Sequence, residues 1–132
     1  MSDELVRYSE GGQEFDAFIA RPGGAGPHPA VLICHAWAGR DAFAEDKARA
    51  LAELGYIAFA IDLYGVGRRG HDTASNQALM MPLIQDPPTL RRRLGAAFEA
   101  VSASPGVDRT RMGSIGFCFG GPRPPTALRE IG

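Results

Sequence analysis

The feature that most constrains this chain is the run Ala30-Val31-Leu32-Ile33-Cys34, which has no polar face. A strand of that composition must be covered on both sides, as strands of a parallel sheet are. Parallel neighbours need a crossover, and the following residues supply one. Asp41 is placed to cap a helix in which Phe43, Lys47, Leu51 and Leu54 recur at spacings of four, four and three. That rhythm predicts one largely apolar face, with the stem of Lys47 lying along it. Gly55 supplies the stop. Tyr56 to Ile61 is a second candidate for a buried strand, ending at Asp62. Strand, helix and strand with short connections predict a βαβ unit.

The rest of the chain extends the same alternation. Leu5 to Tyr8 and Phe15 to Arg21 flank Gly11-Gly12, which predicts a hairpin at a sheet edge. Pro22 to Pro29 is a loop. Leu63 to Asp72 is a second loop, and Ser75 to Ile84 a short helix. Pro87-Pro88 punctuates, and Thr89 is expected to cap a helix with Leu90, Leu94, Phe98 and Val101 on one face. Pro105-Gly106 ends it. Met112 to Ile115 is a third short strand, leading into Gly116-Phe117-Cys118-Phe119-Gly120-Gly121. The pattern predicts an α/β domain with a mostly parallel sheet and helices on its faces. Residues 1–121 are expected to form it. Residues 122–132 break the rhythm, because Pro124-Pro125 would remove donors from the helix that should follow.

Composition narrows the function classes. Of 132 residues, 45% are hydrophobic and 22% charged, as in an ordinary globular domain, and the net charge of −1 gives no basic field for nucleic acid or anionic membranes. The start Met1-Ser2-Asp3-Glu4 lacks the basic, then apolar, pattern of a signal peptide, and no run reaches membrane-span length. Two cysteines far apart make no disulfide framework and suit a reducing cytoplasm.

Gly116-x-Cys118-x-Gly120, between a strand and an expected helix, has the context of a nucleophile elbow with cysteine in the reactive position. The glycines are needed because the nucleophile sits on a tight turn where neighbouring side chains would collide with backbone. A helix N-terminus beside the sulfur favours thiolate.

The blocks Cys34-His35-Ala36-Trp37-Ala38-Gly39-Arg40-Asp41, Leu54-Gly55-Tyr56, Asp62-Leu63-Tyr64-Gly65 and Ile115 to Gly121 together resemble the dienelactone hydrolase family, in order and spacing, over about Leu5 to Gly121. The resemblance implies part of an α/β-hydrolase fold and a Cys–Asp–His triad that opens a small-molecule lactone or ester through an acyl-enzyme, without a cofactor. It implies Cys118 as nucleophile and the backbone N–H groups of Phe119 and Trp37 as the oxyanion hole. Two departures stand out. Ala36 replaces a glutamate that many members carry against the thiol. Triad order on this fold is nucleophile, acid, histidine, whereas His28, His35 and His71 all precede Cys118, and the only later acid is Glu130. A truncated chain, or a frame shift after Gly121, is the expectation that follows.

The remaining polar residues have plainer readings. Cys34 is expected in the core and His35 bonded to loop backbone; a Cys34, His35 and Cys118 metal site lacks metal-type spacing. Asp62 is expected to hold the loop after its strand. Arg68 and Arg69 are candidates for a substrate carboxylate, since guanidinium groups grip carboxylates with two donors; with His71 they otherwise form a solvated loop. Asp108 and Arg111 are expected in a turn and on the surface, and Met80 and Met81 in packing. The rival to an enzyme is an inactive fragment. Its strand Met112 to Ile115, left as a sheet edge, would make a homo-oligomer.

Overall fold

The computed structural model describes residues 2–36 and 38–116. Five strands form one sheet: β1 (Ser2–Glu10), β2 (Gln13–Arg21), β3 (His28–Cys34), β4 (Ile57–Ala60) and β5 (Val107–Gly116). Three helices accompany them: α1 (Ala42–Glu53), α2 (Thr73–Ile84) and α3 (Pro87–Ser102). The order across the sheet is β1-β2-β4-β3-β5. β3 runs parallel to both β4 and β5, so the βαβ unit expected from the sequence forms as β3-α1-β4. The hairpin adds an antiparallel flank, with β2 pairing β4 and β1 at the margin. The sheet is therefore mixed.

Small and large side chains are unevenly shared between the two faces, the α1 face carrying most of the alanines beside Phe18 and Ile33. Ile19, Leu32, Ile57 and Phe59 meet Leu94, Ala97 and Val101 of α3 on one face. On the other, Ala20, Ala58 and Ala60 meet Ala44, Ala48 and Ala52 of α1. This corrects the face expected for α1. Phe43 and Leu54 are 57% and 74% exposed, and Leu51 is only partly covered. The physical reason is close approach: alanines on both sides bring the helix axis near the sheet, and a larger stripe does not fit there. The ends of α1 are as expected. Asp41 accepts from the Ala44 N–H, and Gly55 at φ +100° follows the last turn. Its N–H reaches the Ala52 carbonyl while that of Tyr56 reaches Leu51, which closes the helix with a Schellman motif.

Two further details differ from expectation. The cap of α3 is Asp86, not Thr89, and Pro87-Pro88 lies in the first turn. Proline is well suited there, because its missing N–H has no helical acceptor and its φ is already helical. Met80 packs against the core, but Met81 on the far side of α2 is 39% exposed. β5, with its outer side at the end of the described sheet, is longer than expected and includes Asp108 and Arg111, which bond each other at 2.7 Å. The proline-rich segment 122–132 lies outside the described residues.

This packing gives a measurable contrast. Leu94→Ala, at a fully buried position, is expected to lower unfolding free energy by about 2–5 kcal/mol. Leu54→Ala, at a 74% exposed position, is expected to change it by about 0.5 kcal/mol or less. Urea denaturation of both variants checks the assignment of faces.

Candidate active site

The parallel strands β3, β4 and β5 end together at one margin of the sheet, where open α/β sheets place their ligands. Cys34 is register partner to Gly116, and a Cβ on Gly116 would lie 3.8 Å from that of Cys34. The chain thus enters the Gly116–Gly120 motif beside the loop that follows β3. Cys118 and Phe119 lie outside the described residues, as does Trp37. The loops that follow β3 and β4 form the described platform at this margin.

That platform is two loops clasped together. His35 is fully buried after β3, with both ring nitrogens bonded. Its Nε2 accepts the Leu63 N–H at 3.0 Å, which leaves Nδ1–H to donate to the Ala36 carbonyl at 2.7 Å. The neutral Nδ1–H tautomer follows from those partners. Burial lowers its pKa from 6.5 to about 4. The Gly70 N–H donates to the Ala38 carbonyl at 2.8 Å, adding a second link between the loops. Gly39 adopts φ +95°, and a Cβ there would meet the Arg69 stem at 3.0 Å and the Arg68 carbonyl at 3.1 Å. Only glycine tolerates both that backbone and that approach. Residues 36 and 38, on either side of Trp37, are therefore both tied to defined partners.

Asp62 anchors the second loop. It is fully buried at the end of β4. Its Oδ1 accepts the N–H groups of Tyr64 and Gly65 at 3.0 Å, and its Oδ2 accepts that of Asp16 at 3.3 Å. The Tyr8 hydroxyl donates to the Asp62 carbonyl at 2.7 Å and accepts its N–H at 3.1 Å. The carboxylate therefore turns the chain out of the strand, as expected from sequence. Beside it lies an ion network that the sequence did not reveal. Arg40 is 8% exposed and donates to Asp16 at 2.8 Å and to Glu45. Arg69 adds contacts to Asp16 at 3.6 Å and Asp62 at 3.8 Å. Asp16 sits mid-strand in an otherwise apolar stretch of β2, the one local hint that a buried cation would face it.

The two arginine candidates differ in circumstance. Arg69 is occupied by Asp16, Asp62 and the carbonyls of Gly65 and Arg68. Arg68 is exposed and makes no ion pair among the described residues; it borders a small pocket of about 210 Å³ with Tyr64 and Arg93. His28 begins β3 at the opposite margin, 3.3 Å from the Gly24 carbonyl. The His71 side chain is 83% exposed beside Asp72. Cys34 is fully buried, and desolvation pushes its thiol up to about 12.

The clasp makes stability depend on pH in a defined direction. Folding lowers the His35 pKa, so as pH falls the unfolded chain takes the proton first. Stability from the neutral ring is complete above pH 6.5 and is lost progressively down to about 4. At roughly 1.4 kcal/mol per unit this amounts to ~3 kcal/mol. Urea melts of the chain and of His35→Gln across that range are expected to differ in slope. Parallel slopes would show that His35 is not held neutral.

A model of the dienelactone hydrolase family matches residues 15–123. A putative carboxymethylenebutenolidase of Methylorubrum extorquens is 33% identical over 109 residues, covering 80% of this chain and 37% of that protein. A probable 2-oxo-3-(5-oxofuran-2-ylidene)propanoate lactonase of Bradyrhizobium sp. is 27% identical over 118 residues, covering 89% of this chain and 48% of that protein. The chain thus spans less than half the length of these two relatives. The crystal structure of a dienelactone hydrolase-like promiscuous phosphotriesterase from metagenomic libraries superposes with a TM-score of 0.87 at 32% identity, over 98% of this chain and 53% of that one. No helix among the described residues is long and apolar enough to cross a membrane. The matched span takes in β2 to β5, the clasped loops and the Gly116–Gly120 motif, and this chain belongs to the dienelactone hydrolase family.

Proposed function

We propose that this chain is the nucleophile-bearing part of a hydrolase acting on lactones or carboxylic esters, with Cys118 as the nucleophile. The pairing of Cys34 with Gly116 carries the reading, because it ends β5, at the first residue of the glycine motif, on the margin where the two clasped loops lie. The names of the relatives, a carboxymethylenebutenolidase and a lactonase, support the substrate class.

In this mechanism the Cys118 thiolate attacks the carbonyl carbon. A carbon–sulfur bond forms and the carbonyl electron pair moves to oxygen, where the backbone N–H groups of Trp37 and Phe119 stabilise it. Collapse breaks the ester carbon–oxygen bond, and the departing alkoxide takes a proton; in a lactone it stays tethered to the acyl group. Water then cleaves the thioester, releasing the acid and restoring the thiol. His35 is no candidate for the base, since its two nitrogens already serve the loops. Of the arginines, Arg68 is the better candidate for a substrate carboxylate, because the Arg69 head is engaged within the fold.

A second reading has its own support. Among the described residues no histidine is placed to serve the end of β5, which favours a chain that is inactive or halts at the acyl-enzyme.

Labelling and turnover distinguish these outcomes. Brief iodoacetamide treatment of the folded chain is expected to modify Cys118 and spare the buried Cys34. With p-nitrophenyl acetate, a burst of about one equivalent and an acetyl group on Cys118 by mass spectrometry are expected, followed by very slow turnover. Acetylation elsewhere, or a burst that survives Cys118→Ala, would remove the assignment. The absence of any adduct would favour the inactive reading.

A further inference from the structure

We propose that β1 is the self-association surface of this protein, pairing antiparallel with β1 of a second copy in a register centred on Leu5. Among the described residues β1 has a single neighbour, β2, over its full nine residues. The two-residue turn Gly11-Gly12, with φ of 59° and 79°, makes Glu10 and Gln13 the closing pair. Closing pairs of such turns are hydrogen-bonded, and backbone direction alternates along an antiparallel strand. The N–H and C=O groups of Glu4, Val6 and Tyr8 therefore serve β2, while those of Asp3, Leu5, Arg7 and Ser9 face outward. A sheet edge of this kind is a template for another strand.

The side chains select the partner and the register. A two-fold axis perpendicular to the sheet pairs β1 with its copy and keeps each face of the sheet continuous, so residues of like parity stand opposite. Among those registers, the one centred on Leu5 sets Asp3 against Arg7 on both sides of the axis. Leu5 is 59% exposed in the single chain and would be covered by its counterpart. Arg7 is exposed and has no ion pair among the described residues, although Asp16 is its neighbour on β2. Asp3 already meets Arg49 of α1 at 3.1 Å, and a carboxylate can accept a second guanidinium. In this register Asp3, Leu5 and Arg7 each stand in a hydrogen-bonded pair. The alternative centred on Val6 sets Asp3 against Ser9 and Leu5 against Arg7, with no charge pairing. On the opposite face, a trough of about 1070 Å³ between β1 and α3, lined by Val6, Tyr8 and Ala100 and also by the charged Glu4, Arg21 and Glu99, lies beside the joint.

Light scattering behind size exclusion, with cross-linking, tests both surface and register. The 132-residue chain is expected to run as a dimer, and Leu5→Lys, which sets two like charges together at the axis, to run as a monomer with unchanged far-UV circular dichroism. In a Cys118→Ser background, Leu5→Cys is expected to form a disulfide-linked dimer on mild oxidation, because hydrogen-bonded cross-strand pairs stand about 5.5 Å apart, within disulfide range. Val6→Cys is expected not to. A monomeric parent chain, a dimer that survives Leu5→Lys, or cross-linking at Val6 in preference to Leu5 would overturn the proposal.

Discussion

The described fold depends on one buried carboxylate. Asp62 leaves β4 with no solvent, and its two oxygens receive three backbone N–H groups from β2 and from the turn that follows. Without it those donors would be buried and unpaired, each at a cost of about 1–3 kcal/mol. The arginine beside it, Arg69, would lose one of its two carboxylates. The loop it shapes then offers the Leu63 N–H to His35 and the Gly70 N–H to Ala38, so the first loop takes its form from the second. A single residue at a strand end thus sets the backbone of both described loops at this margin of the sheet.

Much of this architecture was legible in the sequence because its signals are local. The apolar run 30–34, the Asp41 and Gly55 stops and the strand before Asp62 each depend on neighbours within a few residues, and each forms, the last as the shorter Ile57–Ala60. The loop blocks were legible for a different reason: turn chemistry restricts which residues fit, as at Gly39 and Gly65 with their positive φ. Asp62 and His35 were correctly read as structural, since a polar residue at a strand end has backbone donors within reach.

What was not legible depends on contacts between distant segments. The stripe Phe43, Lys47, Leu51 and Leu54 has a sound helical rhythm, yet the sheet beneath α1 presents Ala20, Ala58 and Ala60, and the alanine face wins the interface. Periodicity counts hydrophobicity and ignores the depth of the surface to be met. The Arg40–Asp16 pair joins residues 24 positions apart, and although Asp16 lies in an apolar stretch of β2, nothing local names Arg40 as its partner. The cap of α3 was missed because two prolines look like an interruption, although they fit a first turn as well as they fit a loop.

The alanine seat of α1 also bears on how such a sequence can drift. Ala44, Ala48 and Ala52 share one core cluster with Ala20, Ala58 and Ala60, beside Phe18 and Ile33, and are almost unexposed, so a larger side chain there must displace a neighbour. A larger residue on the helix would need a smaller one on the sheet, at Phe18 or Ile33, or at an alanine position by glycine, which weakens a strand. Change at these positions is therefore coupled across the interface, whereas Leu54, which looks like core in the sequence, is 74% exposed and varies without a partner to adjust.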